Sequence, residues 1–173
     1  MNNQQKKIIF ISSWPKSGNT WIRAMLAALL YGQKGKFNFD YLKKIKLFSS
    51  IKNFNKLENF KTDKDGFVDM NFTVDNWINA QKIINNNIKE TKFYKTHNVR
   101  GQVNGKNFTD ENVCGGYIYV VRDPRDIAVS YAHYYGINID ESIEILLNNK
   151  KSTGTIYKVY ELPYSWKNHF YSW

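Results

Sequence analysis

The sequence predicts an α/β domain with three layers and a mostly parallel sheet. Residues Ile8–Ser13 form a short, nearly continuous apolar run, which is typical of a strand buried on both faces. A strongly apolar helix follows after a small polar loop, and the elements along the chain have the order β–α–(insert)–α–β–β–α. We therefore expect a phosphate-binding loop, similar to a P-loop, directly after the first strand.

Composition limits the class of protein without identifying a ligand. With 173 residues, the chain is long enough for one domain with a substantial core. The net charge of +10 is compatible with anionic ligands but does not select one. Cys114 is the only cysteine, so no internal disulfide can form, and we expect a reducing, cytoplasmic environment. No window reaches the roughly 18 apolar residues of a membrane span.

The loop after the first strand has the residues that phosphate binding requires. Trp14-Pro15 ends the strand, because proline cannot donate to a ladder. Lys16–Thr20 is small and polar and contains Gly18, and a helix over Thr20–Tyr31 follows, which Gly32 ends as a C′ residue. The first N–H groups of that helix have no intrahelical acceptors, and glycine lets an anion approach them.

Residues 33–75 form the least regular segment, in which lysines are interleaved with aromatic residues. This composition is compatible with nucleic-acid binding. We favour an irregular insert whose aromatic side chains point inward and whose lysines are solvated, and we predict no nucleic-acid partner. Such an insert lies over the strand ends of an α/β enzyme, so we expect it on the substrate side. A helix capped by Thr73 or Asp75 then runs to about Lys89.

The second half of the chain contains two further strands and several helices. We predict a strand over Thr91–Thr96, a polar loop over Asn98–Asn112 and a strand over Tyr117–Val121. A helix over Arg125–Tyr135 follows, which Asp123 caps, Pro124 begins and Gly136 ends. The rest of the chain is predicted as a helix over Asp140–Asn149, a linker over Lys150–Thr155 and a helix after Pro163. We expect His169 and the aromatic residues around it to pack against sequence beyond this chain.

Three predicted strands end in side chains suited to chemistry on an anion. Lys16 follows the first strand, Lys95-Thr96-His97 ends the second, and Arg122 follows the third. Because the carboxyl ends of parallel strands meet at one edge of a sheet, we expect these groups to form one site. The loop differs from a Walker A sequence because Lys16 precedes Gly18, and this disfavours a nucleoside triphosphatase.

Three motifs together resemble the cytosolic-type sulfotransferases, which use 3′-phosphoadenosine 5′-phosphosulfate (PAPS). These motifs are PKSGNTW (Pro15–Trp21), KTH (Lys95-Thr96-His97) and YVVRDPRDIAVS (Tyr119–Ser130). The first is similar to the family's 5′-phosphosulfate loop, the second to its catalytic strand end, and the third to its 3′-phosphate-binding strand and helix. Asn19 stands where eukaryotic members commonly have threonine, a mild change for a loop whose contacts are largely made by its backbone.

The resemblance implies a sulfotransferase that moves a sulfuryl group from PAPS to a hydroxyl or amine of a small-molecule or glycan acceptor. His97 would be the general base, Lys16 would stabilise the departing phosphate, and Lys95 would contact the sulfuryl group. The resemblance also implies that the backbone N–H groups of Ser17, Gly18, Asn19 and Thr20, with the Thr20 hydroxyl, hold the 5′-phosphate. Trp21 would stack on the adenine, and the Arg122 guanidinium and the Ser130 hydroxyl would contact the 3′-phosphate. No metal is expected, since the three histidines are scattered and cysteine is single.

One departure from the family concerns the C-terminal part. Family members have an arginine-, lysine- and glycine-rich segment that clamps the 3′-phosphate, and nothing after Ser152 matches it. We therefore expect residues 1–173 to be a single sulfotransferase-like domain truncated at its C-terminus, which corresponds to the N-terminal portion of the family's domain. Two alternatives stay open: a P-loop-like nucleotide kinase and a catalytically inactive nucleotide-binding remnant.

Overall fold

The central sheet has four strands, and all of its pairings are parallel. The computed structural model describes residues 7–33, 36–148 and 152–173. In spatial order the strands are β2 (Lys46–Leu47), β3 (Lys92–Thr96), β1 (Ile8–Ser12) and β6 (Cys114–Tyr119). β1 lies between β3 and β6, with Phe10 opposite Tyr94 on one side and Tyr117 on the other. The predicted α/β fold with a mostly parallel sheet is confirmed.

Helices cover both faces of this sheet. They are α1 (Asn19–Tyr31), α2 (Phe39–Leu42), α3 (Met70–Asp75), α4 (Trp77–Asn87), α5 (Pro124–Tyr135), α6 (Ile139–Asn148) and α7 (Trp166–Ser172). Side chains alternate along β1, so Phe10 packs in a core with Trp77 of α4, while Ile11 packs in a second core with Ala27 of α1. The sheet is therefore the middle of three layers.

The start and end of α5 follow the sequence signals. The Asp123 carboxylate accepts a hydrogen bond from the Arg125 N–H, and Pro124 occupies the first turn. Gly136 ends the helix in the left-handed conformation with φ 66°. These interactions fix the direction in which the chain leaves β6, and with it the position of Arg122.

The helix predicted up to Lys89 is interrupted, and neither Thr73 nor Asp75 caps it. Asp69 caps α3 by accepting from the Phe72 N–H, and α4 begins separately after Asn76. Asn76 has φ −109° and ψ 8°, outside helical values, so the chain changes direction there.

Gly32 ends α1, although not as a left-handed C′ residue. Its φ of −81° and ψ of 142° are extended. A Cβ at this position would lie 2.4 Å from the carbonyl oxygens of Ala28 and Lys36. Glycine is therefore required by the close approach of the backbone and not by a positive φ.

Two antiparallel hairpins occupy segments predicted as a loop and a linker. β4 (Gln102–Val103) and β5 (Lys106–Asn107) pair within the predicted loop, and Asn104 and Gly105 have φ of 50° and 74°, as in the tight turns of hairpins. β7 (Thr153–Thr155) and β8 (Lys158–Glu161) pair within and after the predicted linker. The linker's first two residues, 150 and 151, lie outside the described residues, as does residue 149 at the predicted end of α6.

Residues 33–75 contribute to the sheet and to the core. The described residues of this segment contain α2, β2, a 3-10 turn over Ile51–Asn53 and α3, and β2 pairs with β3. Phe48 and Phe54 are fully buried, whereas Phe37 and Phe39 are exposed. Part of its aromatic content is thus core, as expected, and the sequence did not reveal the edge strand.

No helix within the described ranges is long and apolar enough to cross a membrane.

Candidate active site

The predicted strand ends meet at one cavity of about 700 Å³. It lies at the carboxyl ends of β1, β3 and β6, where parallel sheets hold their ligands. Nine of the ten residues predicted for the site line it: Lys16, Gly18, Asn19, Thr20, Trp21, Lys95, His97, Arg122 and Ser130. The tenth, Ser17, is a buried residue of the loop after β1 and is not part of the lining.

The loop after β1 presents free backbone donors at the start of α1. Lys16 and Gly18 have φ of 68° and 95°, and the loop bends there so that Gly18 becomes the N-cap of α1. The N–H groups of Trp21 and Ile22 donate to the Gly18 carbonyl. No acceptor is recorded for the N–H groups of residues 18–20 within the described residues. Apart from the two residues that flank Gly18, no described atom lies within 4 Å of a Cβ placed on it, so no other side chain crowds the loop at this point.

The side chain of Asn19 stabilises the loop through hydrogen bonds to the end of β1 and to the residue that follows it. It is 6% exposed, and its Nδ2 donates to the Ile11 carbonyl at 3.1 Å and to Ser13 Oγ at 3.2 Å. Asn19 thus ties the first turn of α1 to the end of β1. The buried Ser17 Oγ and Asn19 Oδ1 have no protein hydrogen-bond partner in the described part of the chain.

Two cations border the loop. The Lys16 ammonium lies over the ring of Tyr134, 3.9 Å from its centroid. Arg122 Nη1 donates to the Lys16 carbonyl at 3.4 Å, and its Nε lies 3.7 Å from the Asp126 carboxylate. Arg122 therefore contacts the loop and α5 at once, and its half-exposed guanidinium borders the cavity.

Trp21 and Ser130 lie on the walls of the cavity. Trp21 is 77% exposed in the first turn of α1, so its ring is available for stacking. Ser130 is half-buried on α5, one helical turn before Tyr134.

Three of the polar groups of His97 are held by the protein. Its main-chain N–H donates to Glu161 Oε1 at 2.8 Å, and its carbonyl accepts from His169 Nε2 at 3.2 Å. Its Nδ1 lies 2.6 Å from the Ser13 carbonyl oxygen. A carbonyl can only accept, so Nδ1 must carry the proton. The neutral ring therefore has its lone pair on Nε2, for which no partner is recorded among the described residues.

Burial and charge keep His97 neutral. Desolvation, reinforced by the nearby Lys95 ammonium, lowers the pKa of His97 to about 3. Desolvation also lowers the pKa of Lys95, against the opposing attraction of Glu161. Lys95 Nζ lies 3.9 Å from Glu161 Oε2, and both side chains are almost fully buried. The positive charges around Glu161 outweigh its burial and hold the pKa of that carboxyl below its usual range.

His169 packs inside the described chain, which corrects the expectation that it would contact sequence beyond it. It is fully buried, and its Nδ1 accepts from the Tyr119 hydroxyl at 3.1 Å. Its ring stacks on that of Tyr119. Together with the bond to the His97 carbonyl, these contacts attach α7 to the ends of β3 and β6.

Sequence reasoning missed several residues that line the cavity, namely Arg23, Tyr134, Lys158 and Glu161. Arg23 and Tyr134 lie on predicted helices, one turn or less from predicted site residues, so helical periodicity could have found them. Lys158 and Glu161 lie on β8, in a stretch for which no strand was predicted. Within the described residues no cluster of three or more histidine, cysteine, aspartate or glutamate side chains could hold a metal ion.

The comparisons with known proteins identify a family for this arrangement. The family model described as the sulfotransferase domain matches residues 6–173. A search of curated proteins found no match. The matched range contains the loop after β1, the KTH strand end and Arg122 with α5, so the whole cavity lies within it. The chain belongs to the sulfotransferase domain family.

Proposed function

We propose that this chain binds PAPS and catalyses transfer of its sulfuryl group to a hydroxyl or amine. One observation supports this most strongly: a single cavity holds the open helix N-terminus, three lysines, two arginines and an imidazole nitrogen that has no partner among the described residues. A helix N-terminus with free N–H groups binds anions, and sulfuryl transfer to a hydroxyl or amine needs a base that takes up its proton.

The loop residues fit the phosphate groups of the nucleotide. The free N–H groups of residues 18–20 and the Thr20 hydroxyl would hold the 5′-phosphate. The buried Ser17 Oγ, which has no hydrogen-bond partner among the described residues, would be a further donor from the same loop. Arg122 lines the same cavity as Ser130 of α5, and the two would hold the 3′-phosphate, because a guanidinium binds phosphate through two parallel N–H groups. Trp21 would stack on the adenine.

Sulfuryl transfer requires a base that takes the acceptor's proton and groups that stabilise the negative charge that develops on the transferring and departing oxygens. When bound, PAPS supplies the activated sulfuryl group. The Nε2 of His97 would accept the proton of the acceptor hydroxyl or amine, since the Ser13 carbonyl fixes the other nitrogen as a donor. Lys95 would neutralise charge on the sulfuryl oxygens, and Lys16 would neutralise charge on the departing phosphate. An anionic nucleotide beside His97 would raise its low pKa and make Nε2 a stronger base.

The acceptor would enter between the strand ends and residues 33–75. Leu47 of β2 lines the cavity, as do Thr153–Thr155 of β7. We propose that β2 and β7 form the side of the cavity that receives the acceptor, within a single domain. The acceptor would be a small molecule or a glycan.

Calorimetric titration with adenosine 3′,5′-bisphosphate, the product nucleotide, tests this proposal. We expect binding in the presence of a metal chelator, and no tighter binding of ATP when Mg²⁺ is supplied. Lys16→Ala should weaken binding of the bisphosphate roughly 10-fold or more, because removing a charged hydrogen-bond donor costs about 1.5–3 kcal/mol. The exposed Lys52→Ala is a control with the same change in charge. Absence of binding, or binding of ATP that requires Mg²⁺, would contradict the proposal and favour the inactive remnant or the kinase.

A further inference from the structure

Among the described residues, the cavity lining has five basic side chains and a single acidic one, that of Glu161. Glu161 ends β8 and is 6% exposed. One carboxylate oxygen accepts the His97 main-chain N–H at 2.8 Å, and the other lies 3.9 Å from the Lys95 ammonium. Glu161 thus contacts both of the residues of the KTH motif to which chemistry is assigned.

A buried carboxylate needs charged and hydrogen-bonding partners to offset its desolvation, and Glu161 has both kinds. The arrangement is also reciprocal. Lys95 is 12% exposed at its side chain and would be an isolated buried cation without Glu161. His97 follows Thr96, the last residue of β3, and its N–H donates to Glu161 and not to a neighbouring strand. Glu161 therefore satisfies two groups that the sheet leaves without partners.

We propose that Glu161 is a positioning residue for sulfuryl transfer: its carboxylate fixes the main chain of His97 and supplies the counter-charge of the Lys95 ammonium. This inference rests on the proposed function for the roles of those two residues. Glu161 itself performs no proton transfer in this scheme, because both of its oxygens are already engaged.

The contact links the β7–β8 hairpin to the catalytic strand end. Val159 of β8 donates its N–H to the Ser49 carbonyl, which follows β2, and Leu162 donates to Asn98 Oδ1 directly after His97. Glu161 lies between these two attachments. The hairpin is therefore held against β2 on one side and against the segment after β3 on the other, and the carboxylate is presented between them.

Several charged groups act on the two residues that Glu161 contacts. Lys95 faces Glu161 and Lys158 of β8 and Arg23 of α1. His97 faces Lys95 of its own strand, Glu161 of β8 and His169 of α7. Glu161 is the one negative charge in either set. Removing it should lower the pKa of both Lys95 and His97, so the acid and alkaline limits of activity should both move to lower pH.

Glu161→Gln and Glu161→Ala separate the two parts of the proposal. The glutamine keeps an oxygen that can accept the His97 N–H but removes the charge, whereas alanine removes both. Glu144→Gln on the exposed face of α6 is the matched control for charge. The measurements are the Lys95 and His97 titrations by NMR with isotope-labelled side chains, hydrogen exchange of the His97 amide, and the pH profile of PAPS turnover. Circular dichroism verifies that each variant is folded.

We expect the Lys95 and His97 titrations to move to lower pH in Glu161→Gln, together with both limbs of the turnover profile. The His97 amide should stay protected in Glu161→Gln and exchange faster in Glu161→Ala, and Glu144→Gln should match the wild type in every measurement. If Lys95 titrates in Glu161→Gln as it does in the wild type, the proposal is overturned. A wild type that turns over no PAPS refutes the proposed function, and the positioning role with it, while the NMR titrations still report the electrostatic contact separately.

Discussion

Arg122 provides the sharpest prediction about which nucleotide this cavity accepts. If its guanidinium binds the 3′-phosphate, Arg122→Ala should reduce affinity for adenosine 3′,5′-bisphosphate and leave affinity for adenosine 5′-monophosphate unchanged. The loop after β1 would still bind the 5′-phosphate in both cases. The ratio of the two affinities therefore isolates the contribution of Arg122 to the 3′-phosphate.

The magnitude follows from the exposure of the guanidinium. A hydrogen bond to a charged group contributes about 1.5–3 kcal/mol. The Arg122 side chain is 41% exposed and lies 3.7 Å from Asp126, so solvent screening and the competing carboxylate favour the lower end. We therefore expect the bisphosphate to lose roughly 10-fold in affinity, since about 1.4 kcal/mol corresponds to a factor of ten.

Isothermal titration calorimetry of both nucleotides is the assay. Arg125→Ala is the matched control, since Arg125 lies three residues away, is largely exposed and is paired with Asp123. Arg122→Lys should recover part of the discrimination, because lysine keeps the charge but not the two-pronged geometry. An unchanged ratio of affinities in Arg122→Ala would refute the assignment of the 3′-phosphate to this residue.

Two further predictions concern stability. The pKa of His97 is lowered to about 3 and that of His169 to about 4, both from 6.5, so the unfolded chain binds more protons below pH 6.5. The free energy of unfolding should therefore fall as pH is lowered from 6.5 to about 5, a range in which carboxylates titrate little. Urea titrations at several pH values measure this dependence, and His169→Gln should make the free energy of unfolding depend less on pH. An unchanged pH dependence would contradict the burial of the neutral His169 ring. Asp123→Ala should lower the free energy of unfolding by about 0.5–2 kcal/mol through loss of the α5 cap. Asp123→Asn should keep most of the wild-type stability, because asparagine also caps helices. Equal losses in the two variants would contradict the capping role.

The parts of the fold that sequence predicted correctly are those with strong local signals. The apolar run that became β1, the KTH strand end and the Asp123-Pro124 helix start all form as expected. These are also the segments that carry the site, because strands of a parallel sheet present their carboxyl ends together. The meeting of Lys16, Lys95, His97 and Arg122 could therefore be predicted from the sequence.

The missed elements are short or depend on distant contacts. β2 has two residues and is stabilised by pairing with β3, which lies more than 40 residues later in the chain, so its own sequence carries little signal. The β4–β5 hairpin did have a local signal in Asn104-Gly105, and the predicted loop overlooked it.

Glu161 could not be assigned from sequence for a different reason. A glutamate in a stretch rich in aromatic residues has no motif around it, and its role depends on contact with His97 and Lys95, 64 and 66 residues away. Burial of charge is a property of tertiary packing, so the hairpin had to be placed before the residue could be recognised.

Transfer of labelled sulfuryl from PAPS tests the central claim most directly. The assay would present a panel of simple phenols, alcohols and amines to the wild type and to His97→Ala, with no added metal. We expect labelled product from the wild type and a rate about 10²- to 10⁴-fold lower from His97→Ala, the usual contribution of a general base, with affinity for adenosine 3′,5′-bisphosphate retained. No labelled product from the wild type, or equal rates from the two proteins, would contradict the account.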